Sequence, residues 1–138
     1  MGEKIDIQAD RRDQNECDDQ GMNRAAARAA VATTRATIEL TLPLGRSDAT
    51  LCHGLLGLAE VVLIAGRLLD DVNALDFARG VGRTLIERHA EAGDWPSGVG
   101  STGPNPSLML GTAGVGYELL RLHDPEGVPP VLLPRTSI

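Results

Sequence analysis

Aromatic residues are nearly missing from this sequence, with one Trp, one Tyr and one Phe in 138 residues. Any core must therefore be filled by Leu, Val, Ile and Ala, as helix-on-helix packing usually is. Lysine occurs once, at Lys4, so arginine supplies the other cations. Positive charge is short overall: the net charge of −6 excludes the basic footprint of a nucleic-acid-binding domain. Arg24, Arg28 and Arg35 are too sparse to build a local basic patch. Long apolar runs are also lacking. The longest, Val61 to Gly66, falls far below the ~18 residues of a membrane span. The opening Met1 to Asp6 has no apolar stretch of the signal-peptide kind. Two cysteines, Cys17 and Cys52, do not make the dense framework of a small secreted domain, which points to a reducing cytoplasm.

What is present is globular in kind: 42% hydrophobic and 23% charged residues, within the length of one domain. Sixteen glycines and eight prolines are many for a helical chain, so the glycines are expected at structured turns.

Residues 1–21 carry seven acids and three bases with few large aliphatics, and read as a disordered acidic tail. From Met22 to Leu42 the chain is alanine-rich and predicts a helix that Pro43 ends. A polar loop from Leu44 to Thr50 leads to a second helix, opening at Leu51 and running to about Leu69. Between Leu55 and Leu69 only Glu60 and Arg67 are charged, so this helix is expected to be buried on most sides. Asp70-Asp71 breaks it and starts a third, amphipathic helix to about Ala92, with Ala74, Ala78, Val81 and Leu85 on its inner face. A Gly/Pro/Ser loop, Gly93 to Ser107, separates it from a fourth, mostly apolar helix, Leu108 to about His123, which Asp124-Pro125 stops.

The second and fourth helices open alike. Leu51 to Leu58 aligns with Leu108 to Val115 at an offset of 57, with Gly54-x-x-Gly57 matching Gly111-x-x-Gly114. Alternation of amphipathic and buried helices with glycine-opened inner ones predicts an all-α fold, a partial α/α toroid.

Cys52-His53 carries the chemical content. Thiolate and imidazole are good zinc ligands, and a helix start favours the thiolate. A buried structural Cys beside a hydrogen-bonded His is the alternative. Glu60, on a buried helix, needs a partner, expected to be an arginine from an outer helix. His89 falls on the apolar stripe and reads as a core or boundary residue. His123 suits the last turn of a helix as a cation, and Trp95 reads as a packing anchor.

Cys52-His53-Gly54 followed by Gly57-Leu58-Ala59-Glu60, then Gly93-Asp94-Trp95-Pro96-Ser97-Gly98 and Pro106 to Tyr117, resembles the lanthionine synthetase C-like cyclases. Leu119 to Leu122 and Asp124 to Leu133 extend the likeness to the C-terminus of class II lanthipeptide synthetases. The resemblance implies a toroid of about seven helix pairs, of which residues 22–138 would be the last two. It also implies a zinc ion that binds a cysteine thiolate of a precursor lanthipeptide, with Cys52 and His53 as two metal ligands. The thiolate adds to dehydrated Ser or Thr and closes a thioether ring. The family's upstream Trp-Cys-x-Gly motif, which gives the third zinc ligand, has no match here, nor do its upstream catalytic His and Asp. Cys17 lies in an acidic setting at a spacing well short of 57, and does not replace that ligand. The chain is accordingly expected to bind zinc weakly and to be inactive alone, acting with the remaining part of the cyclase on another chain. The alternative is a non-catalytic degenerate fragment or helical interaction module.

Overall fold

The computed structural model describes the backbone of residues 7–44, 48–97 and 105–132, and side chains within these from Gly21 onward. Residues 1–6, most of the Gly98 to Ser107 loop and the last residues, Pro134 included, lie outside that set, as does the Cys17 side chain. Among the described residues the regular structure is helical, with four α-helices packed together: α1 (Ile7–Thr41), α2 (Leu55–Leu69), α3 (Val72–His89) and α4 (Thr112–His123). The all-α class expected from composition is the class observed. No described helix is long and apolar enough to cross a membrane.

Helix α1 begins at Ile7, well upstream of Met22, so the acidic residues from position 7 onward and the alanine-rich stretch form one continuous helix. Its inner stripe is Ala27, Val31 and Ile38 at helical spacing. It ends at Thr41, and Leu42–Leu44, with Pro43 at its centre, forms a 3-10 turn.

Helix α2 is the centre of the molecule, packed against α1, α3 and, over fewer residues, α4. Leu55, Leu56, Ala59, Val62, Leu63 and Ala65 are all buried, as its near-continuous apolar sequence requires. Its end is local chemistry. Asp70 takes the left-handed conformation (φ 55°), and the Asp71 N–H turns back to the Gly66 carbonyl at 2.8 Å. Asp71 then caps α3, its Oδ1 accepting from the Ala74 N–H at 3.1 Å. The break at Asp70-Asp71 is thus a C-cap followed at once by an N-cap, which starts α3 at Val72. Ala74, Ala78, Val81 and Leu85 form the buried face of α3, as its spacing predicts. Arg35 of α1 lies over the Phe77 ring of α3, 4.4 Å from its centroid, so one of the few aromatics joins α1 to α3.

Helix α4 is less buried than its sequence suggests. Val115 and Leu122 are its buried large aliphatics, Leu120 is 62% exposed, and the inward face also carries Glu118 and Arg121. It stops at His123, with the Asp124 N–H bonded to the Leu120 carbonyl and the Asp124 carboxylate accepting from Gly127 N–H at 2.9 Å.

Candidate functional site: the glycine-opened turn of Cys52 and His53

Helices α2 and α4 both start later than their apolar patterns suggest, at Leu55 and Thr112 rather than Leu51 and Leu108. The intervening residues form a turn, and the two turns are built alike. The Leu55 N–H donates to the Asp48 carbonyl at 2.7 Å, and the Thr112 N–H donates to the Asn105 carbonyl at 2.8 Å. The Thr50 N–H donates to Asp48 Oδ1 at 2.7 Å, and the Ser107 N–H donates to Asn105 Oδ1 at 3.1 Å. Each pair of positions is separated by the same 57 residues that relate the helix openings. The repeat therefore extends upstream to Asp48/Asn105 and Thr50/Ser107, where the chemistry matches although the residues differ.

Close packing explains the paired glycines. A Cβ on Gly57 would stand 2.2 Å from the Leu51 carbonyl oxygen, and one on Gly114 would stand 1.7 Å from that of Leu108. The N-caps Gly54 and Gly111 are extended and crowded by the backbone of the same turns. The two turns also touch: the Cys52 N–H donates to the Met109 carbonyl at 2.9 Å, joining equivalent positions of the repeat.

On this frame Cys52 is exposed as a free thiol, and the His53 side chain is 52% exposed. The exposure excludes a buried structural Cys. His53 Nδ1 lies 2.5 Å from Asp48 Oδ2, a buried carboxylate oxygen that has no hydrogen-bond partner among the described residues. In the sister turn the equivalent amide, Asn105 Nδ2, donates to the Leu110 carbonyl at 3.0 Å. Beside His53 and Asp48 a cleft of about 290 Å³ is bordered by Thr37, Thr41 and Leu44 at the end of α1, and by Leu58 of α2.

A thiolate and an imidazole on one turn are the donor types zinc favours. The described residues contain no group of three or more His, Cys, Asp or Glu placed to hold a metal. Cys52 and His53 thus fit zinc in kind, and supply one donor fewer than the three a catalytic zinc normally takes.

A second polar cluster lies in the core between α2 and α4. Arg121 donates through Nε to both Glu60 oxygens, at 2.7 and 2.8 Å, and through Nη1 to the Val128 carbonyl at 2.6 Å. Glu60 does have an arginine partner, but it comes from α4 rather than from an outer helix. Position 121 faces α2 directly, whereas the outer arginines are taken up elsewhere: Arg35 covers Phe77 and Arg79 reaches the Leu122 carbonyl. Glu118 joins the cluster. Burial, the neighbouring Glu60 charge and a hydrogen bond to Glu60 push its carboxyl up to about 9, against the pull of Arg121. Sequence reading missed Glu118 and Arg121 in this role, because charge alone does not show which face of α4 turns inward.

His89 is a boundary residue, as its place on the stripe suggests, its ring 5.8 Å from that of Trp95. Trp95 packs against the core, and His123 is exposed in the last turn of α4.

Two glycine-opened helix starts built on one plan, the first carrying an exposed Cys-His pair, mark a repeat-built all-α protein. A family model for the lanthionine synthetase C-like protein matches residues 16–133, and the chain belongs to that family. No curated protein and no solved structure matches it.

Proposed function

We propose that the chain serves zinc-dependent lanthionine and methyllanthionine formation in a lanthipeptide, with Cys52 and His53 as its metal-holding residues. The observation that carries the reading is the exposed Cys-His pair on the opening of α2, in a chain of this family. Bound zinc lowers the pKa of a peptide thiol and so makes a nucleophile available at neutral pH. The chain's own residues do the rest. His53 offers a ring nitrogen from a turn clamped by Gly54 and Gly57, and the adjoining cleft gives a peptide room beside it. In the addition one C–S bond forms at the β-carbon of the dehydrated residue, and the α-carbon takes up a proton. A third metal donor has to come from outside the described residues, so zinc is expected to bind weakly to the chain alone.

Titration with zinc against a chromophoric chelator tests the reading. Cys52→Ala and His53→Ala should each abolish the weak binding. A dehydrated precursor peptide should keep its alkylatable thiol when incubated with the chain alone. Zinc affinity unchanged in both variants would overturn the proposal in favour of a helical interaction module.

A further inference from the structure

We infer that copies of this chain associate head to tail, α2 of one copy packing on α4 of the next as α4 packs on α2 within the chain. The two helices are repeats offset by 57 residues, so each has a pair of equivalent faces. On α2, positions 56, 60, 63 and 67 share one side by helical spacing. Glu60 meets Arg121 there, and Arg67 donates to the Pro125 carbonyl at 2.7 Å, so this side receives α4 and the turn after it. Leu56 and Leu63, on the same side, are fully buried. The equivalent side of α4 carries Ala113, Tyr117 and Leu120. Tyr117 is half-buried, its hydroxyl donating to the Pro129 carbonyl, but Ala113 and Leu120 are exposed.

The docking side shows the same asymmetry. Glu118 and Arg121 are residues that α4 turns toward Glu60 of α2. Their equivalents on α2 are Val61 and Ile64, which with Leu68 form an apolar stripe; Val61 is 38% and Leu68 53% exposed. Each copy thus offers an open receiving face on α4 and an open docking face on α2. A second copy suits both, because the faces are apolar where they would meet. At an offset of 57 the buried Glu60–Arg121 pair becomes a contact between Tyr117 of one copy and Ile64 of the next, with no charge to strand. The backbone follows the same rule. Within the chain the Cys52 N–H donates to the Met109 carbonyl. The equivalent donor, the Met109 N–H, and the equivalent acceptor, the Cys52 carbonyl, have no backbone hydrogen bond among the described residues. Between two copies they complete that bond. The contact joins unlike faces, so it adds copies in one direction until a ring closes.

Sedimentation of the full chain over a range of concentrations tests this. The wild type should self-associate beyond a dimer as concentration rises. Leu120→Asp closes the receiving face and Leu68→Asp closes the docking face. Each should weaken self-association at least about tenfold. Both side chains are exposed in the single chain, so helical circular dichroism should stay unchanged. Mixed in equal amounts, the two variants each keep the face that the other has lost, and should form a heterodimer and nothing larger. A wild type that stays monomeric would overturn the proposal. So would a Leu68→Asp variant that associates like the wild type, which assigns the contact to α4 alone, or a mixture that yields no heterodimer.

Discussion

Arg121 and Glu60, 61 residues apart in sequence, meet in the core with one guanidinium nitrogen bonded to both carboxylate oxygens. Both side chains are almost fully enclosed, so neither charge has water to fall back on. Removing one partner strands the other. Arg121→Ala should destabilise the protein by about 3–5 kcal/mol in urea unfolding, and a double replacement by apolar residues of matching volume should recover most of the loss. A double variant no better than the single would show that the pair adds more than mutual neutralisation.

Glu118 gives the fold a pH dependence of definite sign. Its carboxyl titrates near 9 in the folded chain and near 4.5 when unfolded, so the folded state holds the proton more tightly between those values. Its stabilising contribution is therefore complete below about 4.5 and is lost as pH rises through about 9. Urea midpoints should drift downward across that window, with a slope on the order of 1 kcal/mol per pH unit. Glu118→Gln keeps the neutral shape and should flatten the slope. A slope that survives the substitution assigns the effect to another group.

The paired glycines should tolerate nothing larger. Gly57→Ala and Gly114→Ala each drive a methyl into a backbone carbonyl, and should cost at least about 2 kcal/mol or prevent folding. Gly80 and Gly116, in α3 and α4, have nothing within 4 Å of an added Cβ. Alanine there should be neutral or raise stability by up to about 1 kcal/mol. Thermal melts of the four single variants separate the two classes.

Cys52 should be alkylated by iodoacetamide in the folded protein, because its thiol faces solvent. Peptide mapping distinguishes it from Cys17. Zinc should slow alkylation at Cys52, and His53→Ala should remove that protection. Equal rates with and without zinc would count against metal binding at this turn.

The elements legible in the sequence were those set by local pattern. The stripe Ala74, Ala78, Val81 and Leu85 and the near-uniform apolarity of α2 each predict their own burial, since helical periodicity is a property of neighbouring residues. Helices α2 and α4 start later than apolarity predicts, because Leu51 and Leu108 are apolar yet belong to turns built on Asp48 and Asn105. The repeat was visible only where residues are identical or apolar. Its upstream half pairs Asp with Asn and Thr with Ser, a likeness of hydrogen-bonding ability that alignment by identity passes over. The Glu60 partner was legible in type but not in place: a buried carboxylate calls for an arginine, and only the packing of α4 on α2 says which.

The backbone bond from Cys52 to Met109 makes the exposed thiol a tenant of two repeats at once. Its main chain is moored to a turn whose own residues, Met109 and Leu110, carry no metal-binding group beyond a thioether. The second repeat is therefore the mechanical footing of the first. Loosening the Asn105 turn would let the thiol wander.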